Sequence, residues 1–182
     1  NIVGGSPSGN NDDPEKATAG LFIINKSANS SSTIQICTGV VAGKNVILTA
    51  AGCFDRPDGT IEQLSYATFK TEFQSLNNNT DLISVREVIL HPDHISSDYD
   101  KTNFDIAILK LAANVPETQL VASFINATDT LTPNTEITAI GYGSTGSTDR
   151  AFGTLLSGSL TPLIGASVTN KTGATLTSLG VS

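Results

Sequence analysis

The chain has 182 residues, few enough for one domain or for two small β modules sharing an interface. Its net charge is −7, and the ten Lys and Arg are scattered without a basic stripe, so nucleic acid is not an expected partner and an anionic membrane surface is disfavoured. No apolar run approaches the roughly 20 residues of a membrane span.

The periodicity is that of strands. Leu21-Phe-Ile-Ile-Asn25 is a short apolar run, and Thr33-Ile-Gln-Ile-Cys37 alternates. Val40-Val41 and Val46-Ile-Leu48 flank Ala42-Gly-Lys-Asn45, which reads as a hairpin turn. One helical turn is expected from Ala50 to Phe54. Ile83 to Leu90 is β-branched and half apolar. Phe104 to Leu111 alternates, with Phe104, Ile106, Ile108 and Lys110 on one face and Asp105, Ala107, Leu109 and Leu111 on the other. Glu136 to Gly141 and Leu155 to Ile164 are two further strand candidates. Turn-rich stretches separate them, no helical period is sustained over three turns, and no repeat is present. The fold class is therefore all-β, a barrel or a sandwich. A weak boundary near 112–133 divides the chain into residues 1–115 and 116–182.

The sequence contains no Met, which reads as removal of a leader or pro-segment ahead of Asn1. Cys37 and Cys53 are the entire thiol inventory, and by themselves are as compatible with two free thiols as with a bridge. Five sequons begin at Asn25, Asn29, Asn78, Asn126 and Asn170. Together these features point to a secreted, extracellular glycoprotein, on a route where disulfides persist.

Three local patterns coincide: Ile2-Val3-Gly4-Gly5 near the start; Cys37-Thr-Gly-Val-Val-Ala-Gly-Lys-Asn-Val-Ile-Leu-Thr-Ala-Ala-Gly-Cys53; and His91-Pro92 followed by Asn103-Phe-Asp-Ile-Ala-Ile-Leu-Lys-Leu111. Gly141-Tyr142-Gly143 is a weaker fourth. In this order and at these separations, over roughly residues 2–164, the chain resembles the trypsin/chymotrypsin-like serine protease family. The resemblance implies a double antiparallel β-barrel, with the second barrel incomplete in this chain. It also implies a Cys37–Cys53 bridge that staples the hairpin to the histidine loop.

The family's triad needs an imidazole base, a carboxylate that orients it, and a serine beside an oxyanion hole. The histidine position is occupied by Gly52, which has no side chain to accept a proton. Asp105 matches the triad aspartate and is expected to be vestigial, satisfied by backbone donors or water. The family's Gly-Asp-Ser-Gly-Gly stretch does not occur in the sequence, nor does any Gly-x-Ser-x-Gly elbow. Asn1 precedes Ile2, which displaces the family's activating N-terminus by one peptide unit, about 3.5 Å. Neither histidine is expected to replace the missing base. His91 reads as a surface turn, and His94 as a loop histidine near three carboxylates. Asn77-Asn-Asn-Thr-Asp81 is oxygen-rich and reads as a solvated turn, although some family members bind calcium near there. Tyr142 stands in for the family's usual Trp. No metal and no cofactor are expected.

The expected function is that of a secreted serine protease homologue without catalysis, acting through binding to an unidentified protein partner. The alternative is a fragment of a larger trypsin-like endopeptidase whose nucleophile lies on a missing C-terminal segment. Activity would then also require that Gly52 not be the natural residue.

Overall fold

The computed structural model describes residues 6–8, 13–28, 31–56, 59–77, 80–95, 104–124, 135–143, 153–160, 168–169 and 175–176. In chain order the elements are β1 (Ser6–Pro7), the single-turn helix α1 (Asp13–Lys16), β2 (Thr18–Ser27), β3 (Ser32–Gly43), β4 (Val46–Thr49) and a 3-10 turn (Ala51–Phe54). There follow β5 (Thr60–Thr68), a second 3-10 turn (Phe73–Ser75), β6 (Ile83–Leu90), β7 (Ala107–Leu111), β8 (Ile137–Gly141), β9 (Leu156–Leu160), β10 (Val168–Thr169) and β11 (Thr175–Leu176). Strands β2-β3-β4-β7-β6-β5 close into an antiparallel barrel. A second sheet has the order β1-β9-β8, and β10 pairs with β11. The all-β expectation holds. Ser6–Pro7 pairs with β9, so this stretch joins the second sheet although the division at 115/116 would assign it to the first module.

Alternation builds the barrel core. On β2, Ala19, Leu21 and Ile23 point inward and are at most 1 % exposed. They meet Ile47 of β4 and Ala107, Leu109 and Leu111 of β7. On β7 the face carrying Ala107, Leu109 and Leu111 is thus the buried one, while Ile108 on the other face, and Ile106 just before the strand, remain 39 % and 49 % exposed.

The same alternation turns Asn25 inward. It is 4 % exposed, and its Oδ1 accepts a hydrogen bond from Gln63 Nε2 at 2.8 Å. This burial and hydrogen bond disfavour a glycan on Asn25 in the folded chain. The sequon asparagines Asn29, Asn78, Asn126 and Asn170, like Ile2, Val3, Gly4 and Gly5, lie outside the described residues.

The hairpin expected at Ala42–Asn45 forms between β3 and β4, with Gly43 opposite Val46. In the sequence the alternation reads over Thr33–Cys37 and, separately, at Val40-Val41. The structure runs one strand straight through. A Cβ on Gly39 would run into Ile47 Cγ2, so the absent side chain is what lets β3 lie against the core. β5 was not legible as a strand: its burial shows no two-residue contrast, with Ile61 68 % exposed.

Candidate functional site

The candidate site grows out of the β4–β7 pairing. Thr49 lies opposite Ala107, so the residues leaving β4 and those entering β7 are neighbours at one end of the barrel. After β4 the chain makes the 3-10 turn Ala51–Phe54, as the sequence led one to expect. Cys53 in this turn is disulfide-bonded to Cys37 of β3. The bridge implied by the resemblance is therefore present, and both cysteines pack on the core.

On the other side, Asp105 immediately precedes β7. Phe104 holds φ at 60°, an uncommon conformation for a bulky side chain. Its carbonyl accepts from the Ile106 N–H at 2.8 Å, and its ring stacks on His91 with centroids 4.6 Å apart. The Ile106 carbonyl in turn accepts from the His91 N–H at 2.9 Å. This sharp turn aims the Asp105 carboxylate at the 3-10 turn. Its Oδ1 accepts the Gly52 backbone N–H at 2.7 Å, across 53 residues of sequence. The two residues singled out for the triad positions are thus brought together. The carboxylate makes its bond to the backbone of residue 52.

His94 was expected in a loop near Asp93 and other carboxylates. It lies in that loop, but its side chain is only 3 % exposed, and Nε2 sits 2.9 Å from Asp55 Oδ1. Asp55 directly follows the 3-10 turn. The imidazole thus engages a carboxylate that sequence proximity does not single out. His91 is partly exposed, and its Nδ1 accepts from the Asp93 N–H at 3.2 Å.

The turn at residues 77–81 is closed by its own carboxylate. Asp81 Oδ2 accepts the Asn77 N–H at 2.9 Å, and Oδ1 lies 3.5 Å from Lys70 Nζ. The Asn77 donor first, and the Lys70 charge with it, hold the Asp81 carboxyl below its ordinary range. Among the described residues no group of three or more His, Cys, Asp or Glu is placed to hold a metal.

Tyr142 is 1 % exposed, and burial pushes its phenol well above the usual tyrosine range. Its hydroxyl donates to the Lys70 carbonyl at 2.9 Å, and its N–H donates to Thr38 Oγ1 at 3.0 Å. Thr38 was not singled out by sequence reading. A lone threonine in a strand carries no signal until the residue 104 positions away is known.

A six-stranded antiparallel barrel with a bridged turn after its third strand, and an aspartate bonded to that turn, is the architecture of the trypsin-like proteases. The family model described as Trypsin matches residues 2–178, and the chain belongs to that family. The chain is 26 % identical over 121 residues to the venom peptide isomerase heavy chain of Agelenopsis aperta, a match covering 66 % of this chain and 49 % of that protein. A solved structure described as "Structure of GrC" superposes with a TM-score of 0.65 at 20 % identity, covering 88 % of this chain and 65 % of that one. The chain thus spans about half the length of the curated relative it matches and 65 % of the solved one. No helix among the described residues is long and apolar enough to cross a membrane.

Proposed function

We propose that this trypsin-family chain is a secreted, non-catalytic homologue that acts through binding. The roles open to such a scaffold are cofactor for an active protease, decoy for protease inhibitors, inhibitor of secreted hydrolases, and adhesin; fold does not select among them. The observation that carries the reading is the 2.7 Å bond from the Gly52 N–H to Asp105. Asp105, read by resemblance as the triad carboxylate, bonds to the turn, but residue 52 offers no group that takes a proton. Asp105 is left with a structural task, fixing the turn to the start of β7. Loss of one triad member costs several orders of magnitude in rate, and the residue would be missed whatever serine were supplied from elsewhere.

The test is direct. The purified protein is expected to show no labelling by a fluorophosphonate probe and no turnover of a mixed panel of peptide substrates. Stoichiometric labelling together with turnover would overturn the reading. Asp105→Ala provides a second measurement. It is expected to lower stability by about 1–3 kcal/mol in urea, because it leaves the Gly52 donor without its partner.

A second reading is favoured by the coverage of the relatives. The chain spans 49 % of the venom isomerase heavy chain, which fits a piece of a longer trypsin-like endopeptidase. Intact mass of the protein from its natural source distinguishes the two. A species near 18.9 kDa plus glycans supports the first reading. A markedly longer polypeptide supports the second.

A further inference from the structure

The barrel closes least firmly between β5 and β6. β5 pairs with β2 along its length, from Thr68 opposite Gly20 to Thr60 opposite Ser27. β6 pairs with β7 from Val85 to Leu90. Between them, β5 and β6 share only two pairs, Tyr66 with Ser84 and Ala67 with Ile83. Beyond these the strands part. They leave a groove of about 360 Å³, walled by residues 63–66 on one side and 84–88 on the other, with Arg56 alongside. Alternate residues of a strand direct N–H and C=O to the same side. The stretch of β5 from Gln63 to Ser65 therefore presents backbone donors and acceptors to the groove with no strand opposite.

The charges around this groove are unusual for a protein of net charge −7. The sequence has three arginines, and two of them, Arg56 and Arg86, line the groove. Neither has a carboxylate within ion-pair distance among the described residues, whereas Lys16, Lys26, Lys70 and Lys110 each do. The neighbouring acidic groups are already engaged: Glu62 with Lys26 and Glu87 with Lys110, both at 2.9 Å. Gln63 Nε2 reaches the Phe54 carbonyl at 3.5 Å, which ties the segment leading to Arg56 against β5. Among the described residues, two guanidinium groups thus stand without an ion-pair partner beside an unpaired strand edge.

We infer that the β5–β6 groove is a docking site for an extended acidic peptide segment of a protein partner, which adds to the β5 edge and sets its carboxylates against Arg56 and Arg86. The unpaired backbone selects a peptide over other anions. Only another main chain presents alternating donors and acceptors at the strand repeat, and β-strand addition is an established mode of peptide recognition. The arginines select acidic side chains, because a guanidinium matches a carboxylate with two parallel hydrogen bonds. The site shares no residue with the Gly52–Asp105 pair, so it stands whether or not the chain is catalytic.

The test uses the full chain and a fluorescein-labelled peptide that alternates valine and glutamate, read by anisotropy at low and moderate salt. Binding that weakens with salt is expected. The double variant Arg56→Gln/Arg86→Gln is expected to lose about tenfold or more in affinity, the scale of one lost charged hydrogen bond. Lys44→Gln makes a single charge change at a site outside the groove and is expected to bind as the unaltered protein does. Both arginines are exposed, so the double variant should keep its circular dichroism spectrum. Replacing glutamate by glutamine in the peptide, or N-methylating alternate amides, is expected to cost about tenfold each. The proposal is overturned if the glutamate peptide does not bind, if the double variant binds it equally, or if N-methylation has no effect. A sulfated oligosaccharide that binds through the same arginines while the peptide does not would also overturn it.

Discussion

Asp81 illustrates how one carboxylate holds a turn. It caps the Asn77 N–H and faces the Lys70 ammonium, and both interactions favour its ionised form over an ordinary value of 3.8. A carboxyl whose folded pKa lies below its unfolded one stabilises the fold above the unfolded value and loses that contribution as pH falls through the folded one. Thermal melts are therefore expected to hold steady down to about pH 4 and then fall. Asp81→Asn should lower the melting temperature at neutral pH and flatten the acid limb; an unchanged acid limb would remove Asp81 from the account. Asp105 is a different case at the same scale. Its identity was legible from the Phe104 to Leu111 alternation and the flanking motif, but its partner was not, because Gly52 lies 53 residues away.

Among the elements, the β3–β4 hairpin and the 3-10 turn after it form the best-determined unit. The turn residues and the expected helical turn agreed with the structure because each signal acts within about five residues, whereas the bridge came from the family resemblance and not from the cysteines alone. The bridge joins β3 to the 3-10 turn across 16 residues. In the chain-entropy account such a loop contributes about 3 kcal/mol. Replacing Cys37 and Cys53 together by Ser is expected to lower unfolding free energy by roughly that amount, measured against urea with the bridge intact. A loss below about 1 kcal/mol would mean that the closed barrel holds this turn unaided. β5 is the contrasting element. Ile61 and Leu64 are three residues apart, out of phase for a strand, and much of its wall faces the groove rather than the core. Pairing with β2 makes it a strand, and that pairing is long-range.

Across the whole molecule, the barrel is joined to the second sheet through Phe73. Its ring lies 4.4 Å from Phe22 of β2 and 4.8 Å from Tyr142, which immediately follows β8, with the latter pair stacked. Its N–H donates to the Gly153 carbonyl at 2.8 Å, and the Leu155 N–H donates to the Thr71 carbonyl at 2.7 Å. Gly153 has φ 98°, and a Cβ there would come within 2.7 Å of the Phe73 ring. Phe73→Ala is expected to cost about 2 kcal/mol, less than a fully buried phenylalanine because the ring is only partly enclosed. Gly153→Ala should cost a further 1–3 kcal/mol or so through backbone strain and contact. Urea unfolding of each variant checks both, and near-normal stability in both would show that the two sheets are held together elsewhere.

The sequence by itself determined the strand character of most elements, the hairpin and the family to which they belong, and through that resemblance it implied the bridged turn. These rest on local alternation, on turn residues and on motifs contained in short windows. Tertiary structure alone decided that Asp105 bonds to the Gly52 backbone, that His94 is buried against Asp55, that Asn25 points into the core, and that Arg56 and Arg86 border one groove. Each of these depends on strand register, which sets which distant residues meet and on which face, and register is fixed by the closing of the barrel rather than by any single stretch of chain.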